Sequence, residues 1–225
     1  MSDDDKAGHR ERLRTRFLEG GPGALPDYEI LELLLFMALP RRDTKPLAKR
    51  LLTRFGTYAN VISASGDELQ GVEGVGESVV AALKIVRDGA VRLAREELQD
   101  RTVLSSWQAL LDYCRATMGR QKTEQFRIFF LDRRNALIAD EAQQNGTVDQ
   151  TAVYTREVVK RALELSASAL IMVHNHPSGD TTPSRADIDM TRQIKEACEK
   201  IGIALYDHVI VSASGTSSFK SLGLI

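Results

Sequence analysis

The apolar run Ala169-Leu170-Ile171-Met172-Val173 and the residues that follow it constrain this chain more than any other stretch. Five consecutive apolar residues, mostly branched, read as a strand buried on both faces, which requires a sheet covered by helices on either side. The strand runs into His174 and His176. Side chains at i and i+2 of a strand share a face, roughly 6–7 Å apart at the backbone, so the two imidazoles can converge on one small cation. Pro177 and Gly179 force a turn, and Pro183 with Ser184 opens a helix whose first turn holds Asp187. Two histidines, one carboxylate and an open fourth position form the ligand set of a catalytic zinc site. Ser184-Arg185-Ala186-Asp187 also fits a capping box, in which Asp187 satisfies an amide at the helix start. Two histidines can equally be hydrogen-bonded core residues, so the residues alone leave both readings open.

The complete pattern is more specific. His-x-His, seven residues, Ser, two residues and Asp, with Pro after the second His, resembles the JAMM motif of MPN+ metalloproteases, and Gly179 with Pro183-Ser184 narrows the likeness to the bacterial RadC-like branch. The resemblance implies zinc held by His174, His176 and Asp187, and a fourth position for a water whose pKa falls to about 7. It implies a glutamate base upstream, after the first helix of the domain and opening the next strand; Glu124 occupies that place, with Glu141 and Glu157 as rivals. Glu157 has a structural alternative, since a carboxylate at a helix start complements the dipole. Ser184 is expected to cap its helix and, by the same resemblance, to donate toward an oxyanion. His208 follows Tyr206-Asp207 and precedes the apolar run Val209-Ile210-Val211 in a predicted strand; it could be a hydrogen-bonding partner of a metal ligand, but is read as a structural residue and left outside the metal shell. Asp180 and Asp189 are read as turn and helix-surface residues.

At 225 residues, with 43% hydrophobic and 27% charged content, the chain has the composition of a globular protein of one large or two small domains. No apolar run approaches the roughly 18 residues that span a membrane, and the acidic start Met1 to Lys6 is the wrong chemistry for a secretory signal. Cys114 and Cys198 match no metal or redox spacing and are read as reduced packing residues, which fits a cytoplasmic location. Residues 1–100 carry 15 Lys and Arg against 17 Asp and Glu, and residues 101–225 carry 15 against 14. Neither half has the bulk positive charge of a strong nucleic-acid binder. Local basic clusters, His9-Arg10 with Arg12, Arg14 and Arg16, and Arg41-Arg42 with Lys45, Lys49 and Arg50, are read as solvated faces.

The expected division is an all-helical domain over residues 1–100 and an α/β domain over 101–225. Asp27 to Leu39, between two prolines, predicts a largely buried helix. Asp43 or Thr44 can cap another over Lys45 to Phe55, which Gly56 stops. A short segment runs from Tyr58 to Ala64. Leu69 to Gly76 then leads into a helix over Glu77 to Leu98 in a pattern that resembles a helix-hairpin-helix. Gly74-Val75-Gly76 there could present amides to DNA phosphates, or serve only as a tight interhelical turn; Glu73 and Glu77 oppose phosphate, so binding is expected to be weak. Gly8 to Arg14, Asp27 to Glu32 and Pro40 to Asp43 also look like the N-terminal domain of the RadC family.

In the second half, Trp107, Leu110, Leu111 and Cys114 make a core stripe on a helix from Trp107 to Met118. Glu124 to Asp132 predicts a strand that turns through Arg133-Arg134-Asn135 into Ala136 to Ala139, and Asn145-Gly146 turns the chain again. A helix over Arg156 to Ser166, strands over Ile203 to Ser212 and near Phe219, and the Ser184 helix complete an alternating α/β pattern. The resemblance gives it the fold of an MPN, or JAB and deaminase-like, α/β sandwich. Its implied activity is zinc-dependent hydrolysis of peptide or isopeptide bonds in a protein or peptide substrate. The alternative is a DNA-associated protein, related to repair or recombination, acting through its helical domain. A scaffold role suits MPN domains that lack ligands, and here the ligand set is complete. No His-Glu-x-x-His and no His-x-Glu with Pro-Cys-x-x-Cys is present, which removes the familiar zincins and the nucleotide deaminases.

Overall fold

The computed structural model describes residues 3–21, 23–99, 103, 105–145 and 154–225. The chain forms two compact units, residues 1–89 and 90–225.

The first unit is helical. Helices α1 (Asp3–Gly20), α2 (Asp27–Ala38), α3 (Lys45–Phe55), α4 (Tyr58–Ser63), α5 (Gly66–Gln70) and the start of α6 (Glu77–Gln99) follow in order. Leu31, Leu35, Leu51, Val61, Leu69, Val79 and Leu83 are fully buried together, which explains the apolar density of α2. Thr44 stands at the N-cap of α3 without a side-chain cap bond, its hydroxyl donating instead to the Glu32 carbonyl (3.4 Å), while Asp43 accepts from the Lys45 amide (3.1 Å). Helix α1 carries too weak an apolar stripe to be read from its sequence. Its basic residues are not simply a solvated face. Arg10 donates to the carbonyls of Leu39, Pro40 and Arg42 and lies over the Phe36 ring, and His9 Nε2 is 3.0 Å from the buried Glu32 carboxylate. Arg12 and Arg14 are exposed.

The second unit is a sheet between helical layers. Strands β1 (Gln125–Leu131), β2 (Leu137–Asn145), β3 (Ala169–Asn175), β4 (Ala204–Val211) and β5 (Thr216–Ser218) lie in the order β2-β1-β3-β4-β5. Only β3 and β4 are parallel; the other neighbours are antiparallel. A parallel pair needs a crossover, and α9 (Arg185–Glu199) supplies it. One face of the sheet buries Phe129, Ile171, Val173 and Val209 against α7 (Trp107–Met118) through Leu110, Cys114 and Met118. The other buries Phe126, Ile128, Leu170 and Met172 against α8 (Thr155–Glu164) and α9 through Val158, Ile194 and Cys198. Every residue of β3 is buried, as its unbroken apolar run demands. Both cysteines are free and buried in these opposite layers. The turn expected at Asn145-Gly146 lies partly outside the described residues. No helix among the described residues is long and apolar enough to cross a membrane.

Candidate metal centre

The site forms where β3 ends. Met172 faces α9, and the period of two carries His174 and then His176 onto that same side. The chain then reverses. The Gly179 amide donates to the His176 carbonyl (3.1 Å), and Gly179 holds φ +89°, a conformation that a side chain would strain. Asp180 closes the turn by accepting from the Thr182 amide (2.9 Å). Ser184 then starts α9 in a complete capping box: the Asp187 amide donates to Ser184 Oγ (3.1 Å), and the Ser184 amide donates to Asp187 Oδ2 (2.7 Å). Asp187 is thus a cap, and its carboxylate also faces the two imidazoles. Asp187 Oδ1 lies 3.4 Å from His174 Nε2, and Oδ2 lies 3.6 Å from His176 Nε2. One ligand atom from each of His174, His176 and Asp187 falls within 4.8 Å of the others.

Hydrogen positions follow from partners that can only accept. His176 Nδ1 is 2.7 Å from the Asp180 carbonyl, so Nδ1 carries a hydrogen and the neutral tautomer that fits has its lone pair on Nε2. Thr191 Oγ1 sits 2.5 Å from the Asp187 carbonyl and 2.6 Å from His208 Nδ1. Its single hydrogen must go to the carbonyl, so His208 Nδ1–H donates to the hydroxyl oxygen. His208 Nε2 then accepts from His174 Nδ1–H across 2.7 Å, leaving His174 Nε2 with a lone pair as well. The Nε2 atoms of His174 and His176 lie 2.9 Å apart. With both rings neutral, two lone pairs at that distance, beside a carboxylate, are a repulsive arrangement unless a cation lies against them. The donor set fits zinc, which takes imidazole nitrogen and carboxylate oxygen and does not require a fourth protein ligand. Burial, opposed by Asp187 and helped by His176, pushes the His174 pKa down to about 4, so the ring is neutral near pH 7 and its lone pair is available.

His208, weighed in the sequence as a partner of a ligand but read as structural, is in contact with His174. It pairs with Met172 across the parallel β3–β4 ladder, is fully buried, and stacks on Phe219 with ring centroids 4.4 Å apart. The sequence signal was a histidine between Asp207 and the apolar run Val209-Ile210-Val211.

Glu124 sits just before β1. The antiparallel register pairs Phe126, two residues beyond Glu124 in the chain, with His174. Buried Asn175 secures that segment. Its Oδ1 accepts from the Gln125 amide (2.7 Å), and its Nδ2 donates to the carbonyls of Thr123 (3.1 Å) and Gln121 (3.3 Å). Glu141 is gripped by Arg161, whose Nε and a terminal nitrogen approach it at 2.6–3.0 Å, and Glu157 pairs with Arg156 at 3.1 Å on the exposed start of α8. Asp189 lies exposed on α9, 3.9 Å from Arg192.

Comparison with known proteins agrees on the C-terminal half. Residues 104–224 match the model of the RadC-like JAB domain family. A UPF0758 protein of Ruegeria pomeroyi is 58% identical over 217 residues, covering 96% of this chain and 97% of that protein. A UPF0758 protein of Rhodobacter capsulatus is 61% identical over 213 residues, covering 95% of this chain and 100% of that protein.

Proposed function

The chain belongs to the RadC family, with a RadC-like JAB domain over residues 104–224, and from that premise we propose that it is a zinc-dependent hydrolase of peptide or isopeptide bonds. One observation carries the proposal: His174 Nε2 and His176 Nε2 lie 2.9 Å apart beside the Asp187 carboxylate. Bound there, zinc supplies a Lewis acid and a water acidified toward neutral pH. The other roles fall to this chain's own groups. Glu124, two residues ahead of the Phe126 that pairs with His174 and outside the set of three ligands, accepts the proton of the attacking water and returns it to the leaving nitrogen. Glu141 and Glu157 remain the rivals, the first held by Arg161 and the second paired with Arg156. Ser184 Oγ accepts from the Asp187 amide, which leaves its own hydrogen to donate to the oxygen that becomes negative on the substrate carbonyl.

The test begins with metal. Purified protein is expected to hold about one zinc per chain, and the His174→Ala/His176→Ala variant to hold almost none. Internally quenched peptides and isopeptides should be cleaved by the zinc-loaded protein, lose cleavage on chelation, and regain it with added zinc. Full zinc occupancy in the double variant overturns the proposal.

A second reading, weak contact with DNA phosphates through the helical unit, is favoured by a different observation. Gly74 has φ +92°, and the hairpin carbonyls of Gly71 and Glu73 accept from Arg54 (2.8 Å) and Arg50 (3.2 Å) of α3. Lys49, Arg50, Thr53, Arg54 and Val72 line an open depression of about 360 Å³ beside it. The positive charge that the hairpin's own sequence lacks therefore comes from α3. Binding of the full chain to a short duplex of arbitrary sequence should weaken steeply with salt and be lost in Lys49→Glu or Gly74→Val, while His174→Ala leaves it unchanged. Salt-independent binding, or none at low ionic strength, removes this reading.

A further inference from the structure

We propose that His208 and Thr191 form a positioning relay that joins the two ligands His174 and Asp187 and sets the tautomer of His174. The inference rests on the reading of His174, His176 and Asp187 as zinc ligands. Four groups complete the circuit. The Thr191 hydroxyl donates to the Asp187 carbonyl (2.5 Å), His208 Nδ1–H to the Thr191 hydroxyl oxygen (2.6 Å), and His174 Nδ1–H to His208 Nε2 (2.7 Å). The Asp187 carboxylate then faces His174 Nε2 at 3.4 Å and closes the ring. His174, Thr191 and His208 are each 0–1% exposed, so water cannot stand in for a missing member.

The direction of the relay matters. An imidazole has one hydrogen when neutral, and a second group must hold that hydrogen on Nδ1 if Nε2 is to be a ligand. Here the Asp187 carbonyl, which can only accept, sets the direction for every bond behind it. Reversing the chain would leave Thr191 and the Asp187 carbonyl as two unbridged acceptors 2.5 Å apart, and would put a hydrogen on His174 Nε2 where the metal belongs. Orientation is fixed by packing as well as by hydrogen bonds. Phe126 lies nearly parallel to His174 (interplanar angle 12°), and Phe219 stacks on His208. Helix α9 therefore determines, from two of its side chains and one carbonyl, both which ligand atoms face the centre and which of them is unprotonated.

The variants separate this from a packing role. His208→Phe keeps a ring between Phe126 and Phe219 but gives His174 Nδ1–H no acceptor. His208→Gln restores an oxygen that can accept there, and Thr191→Val removes the directing hydroxyl with little change of shape. Zinc affinity, measured against a competing chelator, is expected to fall about 10–100-fold in His208→Phe, to fall in Thr191→Val, and to recover in His208→Gln. The ring nitrogen resonances of the metal-free wild type should report His174 protonated on Nδ1, and the Phe variant should lose that preference. A folded His208→Phe protein with wild-type zinc affinity overturns the relay, as does His174 protonated on Nε2 in the metal-free wild type. If the Phe variant fails to fold, Thr191→Val carries the same two readouts. Should the wild type bind no zinc, the hydrolase reading falls, while the nitrogen resonances still decide the relay.

Discussion

Ser184 and Asp187 exchange two hydrogen bonds across the first turn of α9, amide to hydroxyl at 3.1 Å and amide to carboxylate at 2.7 Å. The second of these uses the Ser184 backbone, so Ser184→Ala leaves the carboxylate anchored. The variant should lose about 1 kcal/mol of stability, the usual worth of an N-cap. Zinc content should stay near wild type, while turnover of a cleaved peptide falls about 10²–10³-fold if the hydroxyl stabilises the oxyanion. Denaturation, metal analysis and kinetics on one preparation check all three, and unchanged turnover removes the oxyanion role.

Glu124→Gln separates base from ligand. It keeps the size of the side chain but cannot accept a proton. Metal content is expected to survive, with turnover reduced about 10²–10⁴-fold, whereas Asp187→Ala should lose metal and turnover together. If Glu124→Gln turns over normally and Glu157→Gln or Glu141→Gln is inactive with zinc still bound, the base is the other glutamate.

Asn175 connects the same strand end to the segment that carries Glu124. One buried amide serves a backbone donor and two backbone acceptors of residues 121–125. Asn175→Ala strands those groups, at a cost of about 1–3 kcal/mol for an unsatisfied buried polar group. Zinc affinity should change little, since the ligands lie on the other face, and kcat should fall as Glu124 loses its placement. A loss of zinc as large as that in His174→Ala would show that the amide supports the ligands instead.

Acid should destabilise the metal-free protein. His174 is lowered to about 4 and His208 is lowered well below its ordinary value, burial being the largest cause for each. An unfolded histidine titrates near 6.5. As pH falls through the window from about 6.5 to about 4, the unfolded chain binds more protons than the native one, so stability falls with pH and is fully present only above the window. Urea midpoints of chelator-treated protein at several pH values between 7.5 and 4.5 are the measurement. His208→Gln should flatten the profile, and an identical slope in that variant would exclude the histidine from it.

What the sequence by itself determined is local. The unbroken apolar run of β3 required a covered sheet, the period of two put His174 and His176 on one side, and the three-residue spacing of a capping box placed Asp187 at the start of α9. Each depends on neighbours within a few residues, where periodicity and turn chemistry are legible. His208 reaches His174 only because β3 and β4 pair in a parallel register that matches Met172 with His208, and a lone histidine in a strand carries no record of its partner. Arg10 in the first unit, read as solvated, is tied to carbonyls about thirty residues away in the segment that follows α2. Glu141 became a gripped carboxylate through Arg161, twenty residues further on. In each of these cases the deciding quantity is a distance across elements, set by strand register and helix packing, which no local pattern encodes.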